Sequence, residues 1–339
     1  MAGRKLYIRT DMNEKIATGH VMRCLSVADA AREQGVDSVF ITADEGPVSF
    51  IESRGYESIV LGSNWEKPES ELSAIAEVIR KNSIAKLLVD SYQVTERYLR
   101  ELNKLTKVFY LDDLNAFPYP VHAVINYANY ADDNFYPVRY PGTVYYLGCG
   151  FVPLRPEFKK LKHKKINKEI RNLLIMSGGS DPYDIIPGIL GAICVDEYSD
   201  INVICGRYSK NIATLREKYA RHLSVHIHSH VDGIWEFYDE ADVAISAGGS
   251  TLYELASMGV PTITYSFADN QIANVRSFDR DGLMPYAGDV RGGNVPSRVV
   301  TMLEDFSSPD ERATVSVKLR SLIDGCGAER FARILLGNY

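Results

Sequence analysis

Gly19-His20 stands between an apolar run at residues 5–9 and a segment, 20–34, whose apolar positions recur at helical spacing up to Gly35. This places an imidazole in the first turn of a helix, beside backbone N–H groups without an intrahelical partner. The positive end of the helix disfavours an imidazolium, so a neutral His20 there can accept a proton. Gly19 permits a tight turn or a close backbone approach. With Asp11, Gly19 and Arg23 around it, His20 reads as a catalytic group; packing or capping is the alternative for a single histidine so placed. Asp11 reads either as part of that chemistry or as a loop residue bonding nearby backbone.

Leu88-Val89-Asp90-Ser91-Tyr92 ends another apolar run. An aspartate just past a buried strand points into the same carboxyl-edge region as Asp11. Asp90 can orient His20 or bind sugar hydroxyls, or it can cap the strand end with Ser91; Tyr92 joins it as a candidate binding residue. Asp112 and Asp113 follow the next run as adjacent carboxylates, but no histidine accompanies them at ligand spacing, so no metal is expected.

Further along, Ser177-Gly178-Gly179-Ser180-Asp181 and Ala247-Gly248-Gly249-Ser250-Thr251 each follow a strand pattern and precede a helical one. Backbone N–H groups of Gly178, Gly179 and Ser180 can bind phosphate oxygens, and Gly248, Gly249, Ser250 and Thr251 repeat the arrangement. Neither loop has the Lys-Ser/Thr ending of a P-loop or a full G-x-G-x-x-G fingerprint. Glu254, one turn into its helix, can hold two ribose hydroxyls or serve as a helix N-terminal charge. Asn270 and Gln271 are candidate sugar contacts, with a surface turn as the alternative. His226, His228 and His230 alternate at strand spacing without joining carboxylates or cysteines, which favours ordinary strand residues over zinc.

The elements that must position these residues alternate strand and helix. Strands are expected at 5–9, 38–42, 86–89 and 108–111, more weakly at 124–125, with helices at 20–34, 69–81 and 95–105. After an irregular stretch at 126–156 comes a basic run at 159–168, read as a solvated linker or as a steering surface for an anionic substrate. A second alternation follows, with strands at 172–176, 201–204, 223–227, 243–245 and 262–265. Its helices are expected at 185–194, 212–219, 234–240, 250–258 and 269–281, and the tail from 297 to 336 reads as helical. Continuous Val/Ile/Leu runs between helices indicate a parallel sheet covered on both faces. The expected architecture is therefore α/β, with two Rossmann-like domains and a cleft between them. The first covers 1–158 and carries the histidine loop; 159–171 form the linker; 172–339 form a nucleotide-sugar domain whose last helix is free to pack back on the first.

Length agrees, since 339 residues exceed the roughly 250–300 at which single cores stop growing. The 38 basic and 44 acidic side chains give a net charge of −6, which argues against nucleic acid as a partner. Five scattered cysteines without a Cys-x-x-Cys pair suit a reduced, cytoplasmic protein. No signal peptide, membrane span, metal or other cofactor is expected, and oligomeric state is not legible.

Taken together, the motifs at 8–24, 88–92, 110–114, 147–158, 175–182, 244–271 and 324–335 resemble the PseG/SpsG group. Its enzymatic member is the UDP-2,4-diacetamido-2,4,6-trideoxy-beta-L-altropyranose hydrolase of pseudaminic acid biosynthesis. That group is similar in fold to MurG-like glycosyltransferases of the GT-B type. The resemblance implies that His20 is the catalytic histidine, with Asp11 in its accompanying loop. It implies that residues 248–254 form the nucleotide-sugar loop, Glu254 toward the ribose, and that Asn270 and Gln271 lie near phosphates and sugar. The implied reaction is metal-independent hydrolysis of a UDP-linked deoxy-amino sugar. Transfer to an acceptor and non-catalytic binding are the alternatives. Ala17 replaces a glycine common in that group, and Ser91 a frequent histidine, which fits a relative in another surface-glycan route such as spore-coat or cell-wall polysaccharide synthesis.

Overall fold

The computed structural model describes residues 5–337 except 17, 160–163, 207, 208, 230 and 232. Ala17, His230 and part of the basic run therefore lie outside the described residues. The chain divides into two compact units: one runs up to Pro156 and takes up the chain again from Gly325, and the other is Glu157–Asp324.

In the first unit, strands β1 (Lys5–Thr10), β2 (Asp37–Thr42), β3 (Glu57–Val60), β4 (Lys86–Asp90), β5 (Lys107–Leu111), β6 (Ala123–Asn126) and β7 (Val144–Leu147) form one sheet. Its order is β3-β2-β1-β4-β5-β6-β7, and every pairing is parallel. The central strands are the apolar runs legible in the sequence; Ile8, Leu88 and Val89 are fully buried. The edge strands β3 and β7 are short and only half-buried, so their apolar signal is weak. Helices α1 (Gly19–Glu33), α2 (Val48–Ser53), α3 (Leu72–Lys81) and α4 (Glu96–Leu105) connect them. Strand order reverses between β1 and β4, where Thr10 is in register with Asp90. Ligands of open α/β sheets bind beyond the carboxyl ends of strands at such a reversal.

The second unit repeats the plan. Strands β8 (Asn172–Met176), β9 (Asp200–Cys205), β10 (Val225–Ser229), β11 (Val243–Ala247), β12 (Thr262–Ser266) and β13 (Tyr286–Asp289) form a parallel sheet ordered β10-β9-β8-β11-β12-β13. Its helices are α5 (Ile185–Ala192), α6 (Ile212–Tyr219), α7 (Ile234–Glu240), α8 (Thr251–Met258), α9 (Asp269–Arg280), α10 (Val295–Asp305) and α11 (Pro309–Leu322). Order reverses between β8 and β11, the two strands that the glycine loops follow.

The expected helical tail consists of α10, α11 and a further helix. Ser308, whose hydroxyl accepts from the Glu311 N–H, and Pro309 start α11 anew. Gly325, at φ +74°, then turns the chain into α12 (Gly327–Leu336), which packs on α1 in the first unit. With the sheet beneath and α12 above, α1 buries residues around most of its circumference, which a simple amphipathic stripe does not predict. A Cβ on Gly327 would lie 2.1 Å from the Val152 carbonyl oxygen, so the helix enters in direct backbone contact.

Part of the basic run departs from the solvated reading. Lys164 donates to the carbonyls of Tyr238 and Asp239 at the end of α7, and burial pushes its pKa down to about 8. Among the described residues no helix is long and apolar enough to cross a membrane.

Gly327→Ala should destabilise the protein by about 1–3 kcal/mol, the usual cost of forcing atoms into a packed site. Urea unfolding reads this out, and an unchanged midpoint would contradict the close seating of α12.

Candidate functional site

The carboxyl ends of β1, β4 and β5 bring His20, Arg23, Asp90, Tyr92 and Asp113 together. Asp90, the last residue of β4, is 1% exposed. Its Oδ1 lies 2.6 Å from His20 Nδ1 and 2.5 Å from Arg23 Nη2, and its Oδ2 accepts from Arg23 Nε at 2.6 Å. His20 and Arg23 are three residues apart on α1 and so face the same way. Burial alone would raise the Asp90 carboxyl; the Arg23 guanidinium and His20 outweigh it and hold the group well below the usual carboxylate range. The same burial opposes, and Asp90 restores, the charge on Arg23, which stays protonated.

An ionised carboxylate only accepts, so His20 Nδ1 carries the proton toward Asp90, the arrangement that in the neutral imidazole puts the lone pair on Nε2. Arg23 Nη2, 3.0 Å from the same Nδ1, is then a cationic neighbour and not a donor to it. The Tyr92 ring meets the imidazole edge-on, with centroids 4.5 Å apart. Tyr92 donates to Asp113 Oδ2 at 2.7 Å, and Arg23 Nη1 reaches Asp113 at 3.4 Å and the Tyr127 hydroxyl at 3.0 Å. A cavity of about 10 Å³, lined by His20, Tyr92, Asp11, Ile16, Trp65 and Gln93 among others, opens beside the imidazole.

Asp11 lines that cavity but has prior commitments. Its Oδ2 accepts from Arg9 at 2.6 Å and its Oδ1 from the Ala43 N–H at 2.8 Å. Arg9 in turn is paired in a two-point bond with Glu71, which also accepts from Tyr98 and Ser63. This buried network ties the end of β1 to the end of β2 and to the turn before α3. Asp112 turns away from Asp113 and accepts from Tyr119, Tyr136 and the N–H groups of Leu114 and Asn115. The adjacent carboxylates thus diverge, and among the described residues no group of three His, Cys, Asp or Glu is arranged to hold a metal. His226 and His228 sit on β10 against Asp200 and Asn202 of β9.

In the second unit the two glycine loops differ. After β8, Asp181 accepts from the N–H groups of Ile185 and Ile186, so the start of α5 is already occupied by a carboxylate of its own loop. Gly178 sits at φ +76°, and its carbonyl packs against the backbone of Gly206. After β11, no such carboxylate caps α8: Ser250 makes no cap bond to its helix, and a Cβ on Gly249 would meet nothing within 4 Å. Gly248, by contrast, is packed tight, because a Cβ there would lie 2.4 Å from Val275 Cγ1. Its carbonyl accepts from Asn274 Nδ2 at 3.0 Å, and Asn274 Oδ1 accepts from Tyr253. The loop is thereby pinned between α8 and α9. Glu254, half-buried behind Thr251, accepts from the Tyr238 hydroxyl at 2.9 Å. Gln271 is buried with its Oε1 on the Phe267 N–H, and Asn270 is exposed beside it.

Sequence reasoning missed Trp65, Tyr127 and Asn274. Asn274 left one usable sign, an amide in the helical pattern where an apolar residue belongs. Trp65 and Tyr127 lie in irregular segments without periodicity.

Two parallel-sheet Rossmann-like units place this chain in the α/β class, with neighbours of the GT-B glycosyltransferase type. MurG of Acinetobacter baumannii superimposes with a TM-score of 0.72 over 99% of both chains at 14% identity. A Streptomyces glycosyltransferase complexed with thymidine diphosphate gives 0.61 over 98% of this chain at 11% identity. These likenesses establish the fold alone. In sequence, the chain is 25% identical over 332 residues to the spore coat polysaccharide biosynthesis protein SpsG of Bacillus subtilis, covering 95% of this chain and 94% of that protein. It is 26% identical over 251 residues, 70% of its length, to the Helicobacter pylori protein named pseudaminic acid cytidylyltransferase and UDP-2,4-diacetamido-2,4,6-trideoxy-beta-L-altropyranose hydrolase. It is also 26% identical over 280 residues, 76% of its length, to an uncharacterised protein of Methanocaldococcus jannaschii. The chain spans 43% of the Helicobacter protein and 55% of the Methanocaldococcus one. No protein-family profile matches it.

Asp90→Asn leaves Arg23 buried without its counter-charge and should cost about 3–5 kcal/mol at neutral pH. The folded carboxyl titrates below the unfolded one, so its contribution is present above the ordinary carboxyl value and is lost as pH falls toward the folded one. Unfolding free energies should therefore converge for wild type and variant below about pH 4. A gap that holds constant into the acid range would contradict a depressed Asp90.

Proposed function

We propose that the chain hydrolyses a UDP-linked deoxy-amino sugar, of the UDP-2,4-diacetamido-2,4,6-trideoxyhexose type, to UDP and the free sugar. The observation that carries this reading is His20, held through Nδ1 by a buried carboxylate so that its Nε2 can accept a proton. In this scheme His20 removes a proton from water as the water oxygen bonds to the anomeric carbon. The bond from that carbon to the UDP oxygen breaks, and UDP leaves with the electron pair.

The second unit supplies nucleotide binding. Backbone N–H groups of the Gly248–Gly249 loop and the first turn of α8 meet the diphosphate, with Ser250 and Thr251 adding hydroxyls. Glu254 takes the ribose, and Asn270 and Gln271 the phosphate and sugar side. Gly178, Gly179 and Ser180 contribute from the neighbouring loop, where Asp181 already fills the helix end and weakens the case for a second phosphate. No metal enters this scheme.

The relationship to the Helicobacter protein supports hydrolysis. Sugar transfer is the second reading, favoured by the glycosyltransferases among the solved structures of like fold. The relationship to SpsG extends either reading to spore-coat or other surface polysaccharide synthesis.

A panel of UDP-deoxy-amino sugars, read by UDP release and by the mass of the free sugar, separates these readings. Hydrolysis predicts both products without an acceptor, transfer predicts turnover only when one is added, and a binding protein predicts neither. His20→Ala should lower kcat by about 10²–10⁴ while UDP-sugar binding persists. Unchanged turnover in that variant would remove His20 from the mechanism.

A further inference from the structure

Asp113 is tied to the site by two bonds that the scheme above leaves unused. Its Oδ2 accepts from Tyr92 at 2.7 Å and from Arg23 Nη1 at 3.4 Å. Its Oδ1 is buried with no hydrogen-bond partner among the described residues. Tyr130 bonds the Asp113 carbonyl at 2.9 Å and so fixes the backbone that presents the carboxylate. Arg23 therefore bridges two carboxylates, Asp90 behind His20 and Asp113 behind Tyr92.

We propose that Asp113 is a positioning residue: it accepts the hydrogen bond of the Tyr92 hydroxyl and so holds the Tyr92 ring against His20 beside the cavity. The inference rests on the hydrolase reading for its functional meaning. A phenol has one proton to donate; once that proton is bonded to a carboxylate, only lone pairs remain for any other neighbour. His20 is held in the same way, because its Nδ1 is bonded to Asp90. On this account each carboxylate positions one ring beside the cavity, Asp90 that of His20 and Asp113 that of Tyr92, and Arg23 bonds to both carboxylates.

The experiment is a double-mutant cycle on UDP release. Asp113→Ala and Tyr92→Phe should each lower kcat about tenfold or more, the usual effect of losing a hydrogen bond that involves a charged group, with KM little changed. In the Tyr92→Phe background Asp113→Ala should then cost no more than about twofold, whereas independent structural effects would multiply. Asp113→Asn, which keeps an acceptor oxygen, should recover most of the rate. Multiplicative losses, or an Asn variant as slow as Ala, would overturn the proposal.

A second readout needs no turnover. In proton spectra of the ligand-free protein, the Tyr92 hydroxyl should be protected from exchange by its bond to Asp113. Its resonance, assigned by its loss in Tyr92→Phe, should vanish in Asp113→Ala; its persistence there would also overturn the proposal. Should wild type release no UDP from any sugar, the hydrolase reading fails by itself, and the spectra still decide what Asp113 does.

Discussion

A carboxylate removed from water must be compensated on every lone pair, and Asp90 is compensated almost entirely by one helix. Arg23 supplies two of its bonds and His20 a third, and both come from the first turns of α1. The bonds therefore join the end of β4 to the helix that follows β1, across the reversal in strand order. Such a buried cluster gains little net stability, because desolvation offsets much of the attraction. What it specifies is geometry, since an uncompensated charge in any other arrangement costs several kcal/mol. Cys24, whose Sγ lies 3.5 Å from Asp90, shows the price of that setting: burial and the nearby carboxylate push its thiol far up, making it packing and not a nucleophile.

The strand ends of the two units present different chemistry. In the first, buried ions and tyrosine hydroxyls converge, with Arg9, Asp11 and Glu71 forming a second ion cluster under the same edge. In the second, β8 and β11 lead into glycine loops; main-chain N–H groups and hydroxyls stand at the start of α8, and the Asp181 carboxylate stands at the start of α5. A net charge of −6 says nothing about anion binding by such a surface, because helix ends and backbone amides carry no formal charge. Rigidity there comes from packing: Gly248 is wedged against Val275 and bonded to Asn274, while its neighbour Gly249 faces open space.

The residues most legible in the sequence were those at the ends of central strands. A buried parallel strand is a continuous apolar run, so the polar residues that follow it stand out, and His20, Arg23, Asp90 and Tyr92 do come together. The glycine loops were legible for the same reason, but not the difference between them, which depends on where the Asp181 carboxylate turns. Edge strands β3 and β7 escaped because a half-exposed run of four residues carries little periodic signal. The split roles of Asp112 and Asp113 also escaped: adjacent residues share a sequence context but meet different partners in three dimensions. The helical pattern at 297–336 did not show where one helix ends and the next begins, since amphipathicity reports that a face is buried and not against what; the return of the last helix to the first unit was an expectation of the domain plan.

Because α12 completes the first unit while the second is contiguous in the chain, the order of synthesis and the order of completion differ. A ribosome delivers the strands around His20 first, yet α1 waits uncovered until everything from Glu157 to Asp324 has been made. The second unit can close on its own in that interval, whereas the histidine-bearing unit must persist with an apolar helix face exposed. Premature termination near Gly325 would then spare the later-made unit and injure the earlier one.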